Sequence, residues 1–138
     1  MQDAPEQWPI GRLLAAAART VEREWDDRLR AIGLPHAGLI ALDIALRVGP
    51  TGADTIARIA RVQPQTMSRT LERLERDGLV ERGPHPEDRR RRVVAVTDRG
   101  RATWETAHHV EREVLPDDPE LRRRLTAIVQ RERPSSRH

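Results

Sequence analysis

Residues 63–82 of this 138-residue chain, QPQTMSRTLERLERDGLVER, carry the clearest structural signal in the sequence. Pro64 fits the first turn of a helix, and Gly78 is a natural residue just past the end of one. Between them, apolar side chains recur at the four- and three-residue intervals of a helix that buries one face: Met67, Leu71 and Leu74. We therefore predict a helix over about residues 65–77.

The outer face of this helix is polar and rich in arginine. Its outward positions are Thr66, Arg69, Glu72, Arg73 and Arg76, with Ser68 on the flank. Upstream, Asp54 suits the N-cap of a short helix over residues 55–61, followed by a tight connection at residues 62–64. The apolar positions of the short helix are Ile56, Ile59 and Ala60. Two short helices joined in this way, the second basic outside, predict a helix-turn-helix.

A β-hairpin is predicted directly after the second helix. Residues 79–82 and 92–96 are short segments typical of strands. Between them, residues 83–91 read GPHPEDRRR, a stretch rich in turn-forming residues and then in arginine. A hairpin in this place makes the helix-turn-helix a winged one.

Amphipathic helices are predicted on both sides of this unit. Upstream, one helix over residues 10–32 ends at Gly33, and a second covers residues 36–48. Downstream, a helix over residues 98–115 is followed by a last helix that residues 117–119 cap. Their apolar positions are, in chain order, Ile10, Leu13, Leu14, Ala17, Val21, Trp25, Leu29 and Ile32; Leu39, Leu42, Ala45 and Leu46; Trp104, Ala107, Val110 and Val114; and Leu121, Leu125, Ile128 and Val129.

Composition narrows the class of protein. Apolar residues make up 37% of the chain, which is low for a globular domain, so we expect extra surface to be buried against a partner such as a second copy. The absence of cysteine excludes disulfides, cysteine-built zinc sites and thiol chemistry. No apolar run has the length of a membrane span, and residues 1–10 are acidic rather than basic. We expect a soluble, cytoplasmic protein without a membrane partner.

The charged residues favour an anionic partner. The formal net charge is only +3, from 25 basic and 22 acidic residues, and every basic residue is arginine. The guanidinium fork binds phosphates and guanine edges through two hydrogen bonds. An arginine- and alanine-rich chain without lysine also fits a GC-rich genome, and that explanation stays open.

The predicted second helix offers groups suited to reading DNA bases. In a helix-turn-helix the N-terminal residues of the second helix meet base edges in the major groove. These positions hold Gln65, Thr66, Ser68 and Arg69. Glutamine pairs with adenine, arginine pairs with guanine, and a threonine methyl contacts the methyl of thymine. Arg73 and Arg76, further along the helix, are better placed for phosphates.

The hairpin tip offers a second set of candidate DNA contacts. Asp88 is followed by four arginines: Arg89, Arg90, Arg91 and Arg92. Arginine inserted into a narrow minor groove is favoured by the strong negative potential there. Asp88 opposes DNA binding unless it holds an arginine in the extended rotamer that the groove requires. The alternative is that the run is simply a solvated turn.

The wing carries a family resemblance. Asp88, Arg89 and Arg90, followed by Thr97 and Gly100, resemble the wing signature of the MarR family. Two further stretches look like that family's recognition helix and its continuation into the wing: residues 65–69, QTMSR, and residues 74–82, LERDGLVER. The resemblance covers nearly the whole chain.

The resemblance implies a fold and a function. It implies a homodimeric DNA-binding regulator whose partners are a second copy of the chain and double-stranded DNA with a pseudo-palindromic operator. It also implies that Arg90 enters the minor groove and that Asp88 orients it. Such regulators repress their own or a neighbouring operon and release DNA when a small effector, often a phenolic anion, binds. No cofactor is expected, and the effector residues are left unassigned.

We therefore expect a mainly α fold of the α+β kind: a winged helix-turn-helix with long N- and C-terminal dimerisation helices. Residues 1–33 are assigned to the N-terminal dimerisation helix, residues 34–100 to the DNA-binding lobe, and residues 101–133 to the C-terminal dimerisation helices. Residues 134–138 are expected to form a frayed tail. The predicted DNA contacts are Gln65, Thr66, Ser68, Arg69, Arg73, Asp88, Arg89, Arg90 and Arg91.

Histidines and tryptophans suggest alternatives. Glu105 and His109 have the i, i+4 spacing that can share a metal on a helix, and Glu24 with His36 could complete such a site in a metal-responsive regulator. The alternative is that His108 and His109 lie on a solvated or partly buried helix face, and no metal ligand is assigned. Trp25 and Trp104 fit either core packing or the wall of a pocket for a planar ligand.

An enzyme is not indicated by any motif in the chain. We find no glycine-rich phosphate loop, no Ser-His-Asp arrangement and no paired carboxylates in an apolar setting. A winged module that binds proteins rather than DNA is the remaining alternative. Steep weakening of binding with rising salt distinguishes DNA binding from that alternative.

Overall fold

The computed structural model describes residues 4–131 and has the predicted mainly α, winged helix-turn-helix arrangement. After a single 3-10 turn at Pro5–Gln7, the elements in chain order are α1 Ile10–Ala31, α2 His36–Val48, α3 Ala53–Ala60, α4 Pro64–Arg76, β1 Val80–Pro84, β2 Arg92–Val96, α5 Asp98–Val114 and α6 Pro119–Val129. The predicted tail at residues 134–138 lies outside the described residues.

The core of the winged unit forms where α2 packs against α1, α3, α4, α5 and β2. The predicted inward face of α4 is confirmed, because Met67, Leu71 and Leu74 are each at most 1% exposed. Leu46 was predicted to belong to the buried face of α2 but is only half-buried. Ala41 and Ile44 are buried as well, because α2 has neighbours on several sides rather than along one stripe.

The start of α3 differs from the prediction that Asp54 is its N-cap. The helix begins at Ala53, its N-cap is Gly52, and no side chain caps it. The backbone explains the shift: Thr51 pairs with Val94 of β2 as an isolated bridge, so the extended chain ends there and the helix starts immediately afterwards. Asp54 lies in the first turn, where its carboxylate interacts favourably with the helix dipole.

The wing is an antiparallel pair in which Val80 faces Val96 and Pro84 faces Arg92. Strand β1 continues two residues beyond the predicted end at residue 82, which shortens the connecting turn to residues 85–91. The predicted cap of α6 is confirmed, because Asp118 Oδ1 accepts hydrogen bonds from the backbone N–H groups of Glu120 and Leu121, both at 3.1 Å.

An ion pair ties α1 to α5. The Arg28 guanidinium bonds to the Glu113 carboxylate, and the Glu113 pKa is lowered below its usual value, chiefly by this hydrogen bond and by the Arg28 charge. His109 Nε2 lies 2.8 Å from the other oxygen of Glu113.

No single helix of residues 4–131 is long and apolar enough to cross a membrane. Helices α1 and α2 taken together, with a bend of 83° between them, meet that test by length and composition alone.

The outer parts of α1 and α6 leave apolar side chains uncovered. Helix α6 buries none of its residues, and in α1 only Leu29 is fully buried. The exposed fractions are 81% for Ile10, 37% for Leu14, 39% for Leu121, 38% for Ile128 and 58% for Val129. One copy of the chain therefore does not cover the apolar stripes that the sequence places on these two helices.

Candidate nucleic-acid interface

Helix α4 presents a polar face whose N-terminal end is open. Gln65, Thr66, Arg69 and Arg73 are exposed, and Ser68 is half-buried on the flank. Pro64 occupies the first turn, and the N-cap residue Gln63 makes no side-chain capping bond. The first N–H groups of a helix carry partial positive charge and attract phosphates when no side chain caps them. This end of α4 is chemically suited to the backbone and base edges of DNA.

The wing tip is a turn held by two side chains. Asp88 Oδ1 accepts a hydrogen bond from the backbone N–H of Arg90 at 3.1 Å, and His85 Nδ1 accepts one from Glu87 at 3.0 Å. The backbone N–H of Arg91 donates to the carbonyl of Asp88 at 3.0 Å. Asp88 thus holds the main chain of Arg90, and whether it also orients the Arg90 side chain on DNA stays a prediction.

The arginines of the tip are available to a partner. Asp88 and the four arginines after it are all exposed. Within residues 4–131 the guanidinium groups of Arg89, Arg90 and Arg91 form no ion pair with a carboxylate. Because α4 packs against β1, this uncompensated positive charge lies on the element next to the helix that carries the other predicted contacts.

Thr97 and Gly100, the last residues of the wing signature, connect the elements that carry the candidate interface. The Thr97 hydroxyl donates to the carbonyl of Gly78 at 2.7 Å and accepts from the backbone N–H of Gly100 at 3.0 Å. A Cβ on Gly100 would lie 2.0 Å from the carbonyl oxygen of Leu79. These two residues therefore join the end of α4, the start of β1 and the first turn of α5.

Arg82 is a residue that sequence reasoning missed. It lies on β1 opposite Val94, and its Nη2 donates to the backbone carbonyl of Ser68 in α4 at 3.2 Å. Because the group that accepts its hydrogen bond is a main-chain carbonyl, no pattern of residue types in the sequence indicates this contact. Thr97 and Gly100 could be found through the wing signature, although their contacts could not.

A cavity of about 280 Å³ lies between α2, α3 and α5. Its lining mixes apolar and charged side chains: Leu39, Ile40, Asp43, Ile44, Arg47, Ile59, Ala60, Trp104, His108 and Glu111. Arg47 Nη2 pairs with Asp43 Oδ2 at 3.0 Å, and the Trp104 ring stacks on His108 at 5.1 Å between centroids. Trp104 therefore serves both as core packing and as a cavity wall.

The histidines pair differently from the spacing-based suggestion. His36 and His108 each lie 3.7 Å from Glu111, and His109 is paired with Glu113 rather than Glu105. The His36 ring also stacks on the Trp25 ring, with 4.6 Å between the ring centroids, and does not pair with Glu24 among the described contacts. Among the residues that the structure describes, no group of three or more histidines and carboxylates is placed to hold a metal ion.

Comparison with known proteins identifies relatives by sequence. The family model of the MarR family matches residues 39–91, from α2 through the wing tip. The HTH-type transcriptional repressor Rv2887 of Mycobacterium tuberculosis is 32% identical over 124 residues, which cover 90% of this chain and 87% of that protein. The second match extends well beyond the winged unit.

Solved structures share the architecture. CouR from Rhodococcus jostii RHA1, solved bound to p-coumaroyl-CoA, superposes with a TM-score of 0.79 at 22% identity and covers 97% of this chain and 100% of its own. A mutant MarR from E. coli, solved in complex with operator DNA, superposes with a TM-score of 0.71 at 22% identity and covers 94% of this chain and 97% of its own. At these identities the likeness is one of fold.

Proposed function

Because this chain belongs to the MarR family of DNA-binding transcriptional regulators, we propose that it is a homodimeric repressor of its own or a neighbouring operon that a small effector releases from DNA. The observation that carries the proposal is the wing tip, where Arg89, Arg90 and Arg91 are exposed, form no ion pair within the described part of the chain and lie beside a recognition helix without a side-chain cap. No carboxylate among residues 4–131 forms an ion pair with these arginines, and the phosphate backbone of DNA would neutralise their charge.

The proposed contacts divide between the two grooves. In the major groove, Gln65, Thr66, Ser68 and Arg69 face base edges and Arg73 meets phosphate. In the minor groove, Arg90 enters between flanking contacts from Arg89 and Arg91, while Asp88 fixes the backbone that carries them. The complex of MarR from E. coli with operator DNA, a protein of the same fold, supports double-stranded DNA as the partner.

The uncovered apolar faces support the homodimer. The N-terminal half of α1 and all of α6 expose apolar stripes that a second copy would cover, and a two-fold arrangement places two winged lobes on a pseudo-palindromic operator. In this proposal residues 1–33 and 101–133 form the dimerisation region, and residues 34–100 form the DNA-binding lobe.

The cavity between α2, α3 and α5 is the proposed effector site. It touches the first helix of the helix-turn-helix and also α5, so an occupant would contact both the lobe and the dimerisation region. Its volume, about 280 Å³, is at the lower end for ligand pockets, so a small aromatic ligand fits better than a whole coenzyme. CouR, which was solved with p-coumaroyl-CoA, supports effector binding by this fold.

The test is fluorescence anisotropy of the purified chain on its own upstream intergenic DNA and on a scrambled duplex, near 150 mM salt. We expect the native sequence to be preferred by about a thousandfold or more, as for specific regulators. Phenolic acids added to the complex should then release the DNA. Equal, weak binding to both duplexes, with little dependence on salt, would contradict the proposal and favour a protein-interaction module.

Arg90→Ala should weaken operator binding by about 10- to 100-fold without lowering the unfolding temperature. The side chain is exposed and unpaired, so its loss removes a DNA contact and no contact of the fold. Anisotropy titrations and thermal unfolding measure the two effects. The matched control is Arg112→Ala, an exposed arginine in the last turn of α5 that removes the same charge away from the interface. Unchanged operator affinity for Arg90→Ala would refute the proposed wing contact.

Arg69→Ala should relax the base preference at one position of each half-site, at a cost of about 1–3 kcal/mol. Arg69 is exposed in the N-terminal half of α4, where an arginine reaches a guanine edge. Competition between operator duplexes with single base-pair changes measures the preference. Arg76→Ala, near the other end of the helix, should weaken every duplex alike. The same uniform loss for Arg69→Ala would reassign that residue to a phosphate.

A further inference from the structure

We propose that Arg82 is a positioning residue for sequence reading, which sets the angle of the recognition helix against the wing. The inference rests on the proposed DNA-binding function and adds to it a residue that touches neither groove. Arg82 lies on β1, and its guanidinium crosses to α4 and donates to the carbonyl of Ser68 at 3.2 Å. Ser68 lies between Thr66 and Arg69, so the bond is made at the base-reading end of the helix.

A second bond holds the opposite end of the same helix. The Thr97 hydroxyl donates to the carbonyl of Gly78, just past the last residue of α4, at 2.7 Å. Eight residue steps separate Ser68 from the end of α4 at Arg76, which corresponds to about 12 Å along the helix axis, and Gly78 follows two residues later. The buried side chains Met67, Leu71 and Leu74 hold the helix against the core, and the two bonds add a fixed point near each end, so that together they set its direction.

An apolar side chain in place of Arg82 would favour the stability of the fold more than the arginine does. The Arg82 Nε–H group is buried and has no hydrogen-bond partner among the described residues. A buried donor without a partner is unfavourable, and an apolar side chain of similar length would fill the space without one. An apolar side chain, however, could not donate a hydrogen bond to the carbonyl of Ser68. That carbonyl can accept the bond from Arg82 because its oxygen has a second lone pair besides the one used within the helix.

The fixed angle matters because the two grooves are read at the same time. Base contacts from α4 and minor-groove contacts from the wing are both made only if the helix and the hairpin keep one relative orientation. Phosphate contacts made by long arginine side chains tolerate a change of angle, because they carry little directional information. Loss of the Arg82 bond should therefore reduce discrimination between sequences more than it reduces binding in general.

The experiment compares Arg82→Met and Arg82→Gln with the unaltered chain, using anisotropy on operator and scrambled duplexes over a series of salt concentrations. Methionine keeps the packing volume without the donor, and glutamine keeps polarity without the reach. For both variants we expect the operator-to-scrambled affinity ratio to fall by about ten-fold or more, which is the scale of one lost base contact. Binding to the scrambled duplex, its salt dependence and the unfolding temperature should stay unchanged.

The other outcomes overturn the proposal. An unchanged ratio for both variants would show that the bond to Ser68 has no part in sequence reading. Equal weakening on both duplexes, with a salt slope reduced by about one, would make Arg82 a phosphate contact. Arg76→Met supplies that pattern as a reference. Failure of both variants to fold would assign Arg82 to general stability. If the unaltered chain itself shows no operator preference, the proposed function fails before the Arg82 variants are compared.

Discussion

Replacing Gly100 with alanine is expected to destabilise the fold by about 3 kcal/mol or more, although alanine is the better helix former. Gly100 lies in the first turn of α5, and a Cβ there would sit 2.0 Å from the Leu79 carbonyl oxygen and 2.8 Å from Val96 Cγ1. The nearest atom belongs to the backbone, which cannot rotate away. The helix would have to separate from the wing, and the bonds of the Thr97 hydroxyl would break with it.

Urea or thermal unfolding, followed by circular dichroism, measures this loss. The matched control is Gly11→Ala in α1, where a Cβ would meet nothing within 4 Å in the described chain. There the same chemical change is expected to be neutral or to stabilise by less than about 1 kcal/mol. Similar stability for the two variants would mean that the contact between Gly100 and Leu79 relaxes without cost.

The double variant Leu121→Glu with Ile128→Glu is expected to make the chain monomeric and to lower operator affinity by about 100-fold or more, because a monomer loses the avidity of two linked half-site contacts. Both side chains lie on the apolar side of α6 and are more than a third exposed in one copy. Two carboxylates on that side would be desolvated against a partner copy. The winged unit should keep its structure, since α6 buries no residue of its own.

Light scattering after size exclusion gives the mass, and anisotropy gives the affinity. The control is Ala127→Glu with Arg123→Gln, which lowers the net charge by the same two units on the opposite side of the same helix and should leave the dimer intact. A double Leu121 and Ile128 variant that remains dimeric would show that α6 does not take part in the interface. A control variant that also dissociates would point to net charge as the cause.

Local sequence signals predicted most of the fold. The buried face of α4 follows from apolar spacing alone, and so do the ends at Gly33 and Gly78, which both adopt the left-handed backbone that glycine allows. The cap of α6 was predicted within residues 117–119, and Asp118 is its N-cap. In each case the signal that predicts the feature lies within a few residues of it along the chain.

The features that were missed depend on distant parts of the chain. The start of α3 moved because Thr51 pairs with Val94, more than forty positions later. His36 lies near Glu111 because α2 packs on α5, which helical spacing within one element does not reveal. For the proposed interface, sequence predicted which side chains face outward. The partner of Arg82 is a backbone carbonyl, and every residue type has one.

The turn at residues 85–91 bears on the timing of DNA binding. Its conformation is already set in the free chain by bonds from His85 and Asp88 to nearby backbone N–H groups. A segment ordered in advance loses little conformational entropy when it enters a groove. The wing should therefore insert into DNA without a slow folding step. Operators that bind with different affinities should then differ mainly in the dissociation rate of the complex and much less in its association rate.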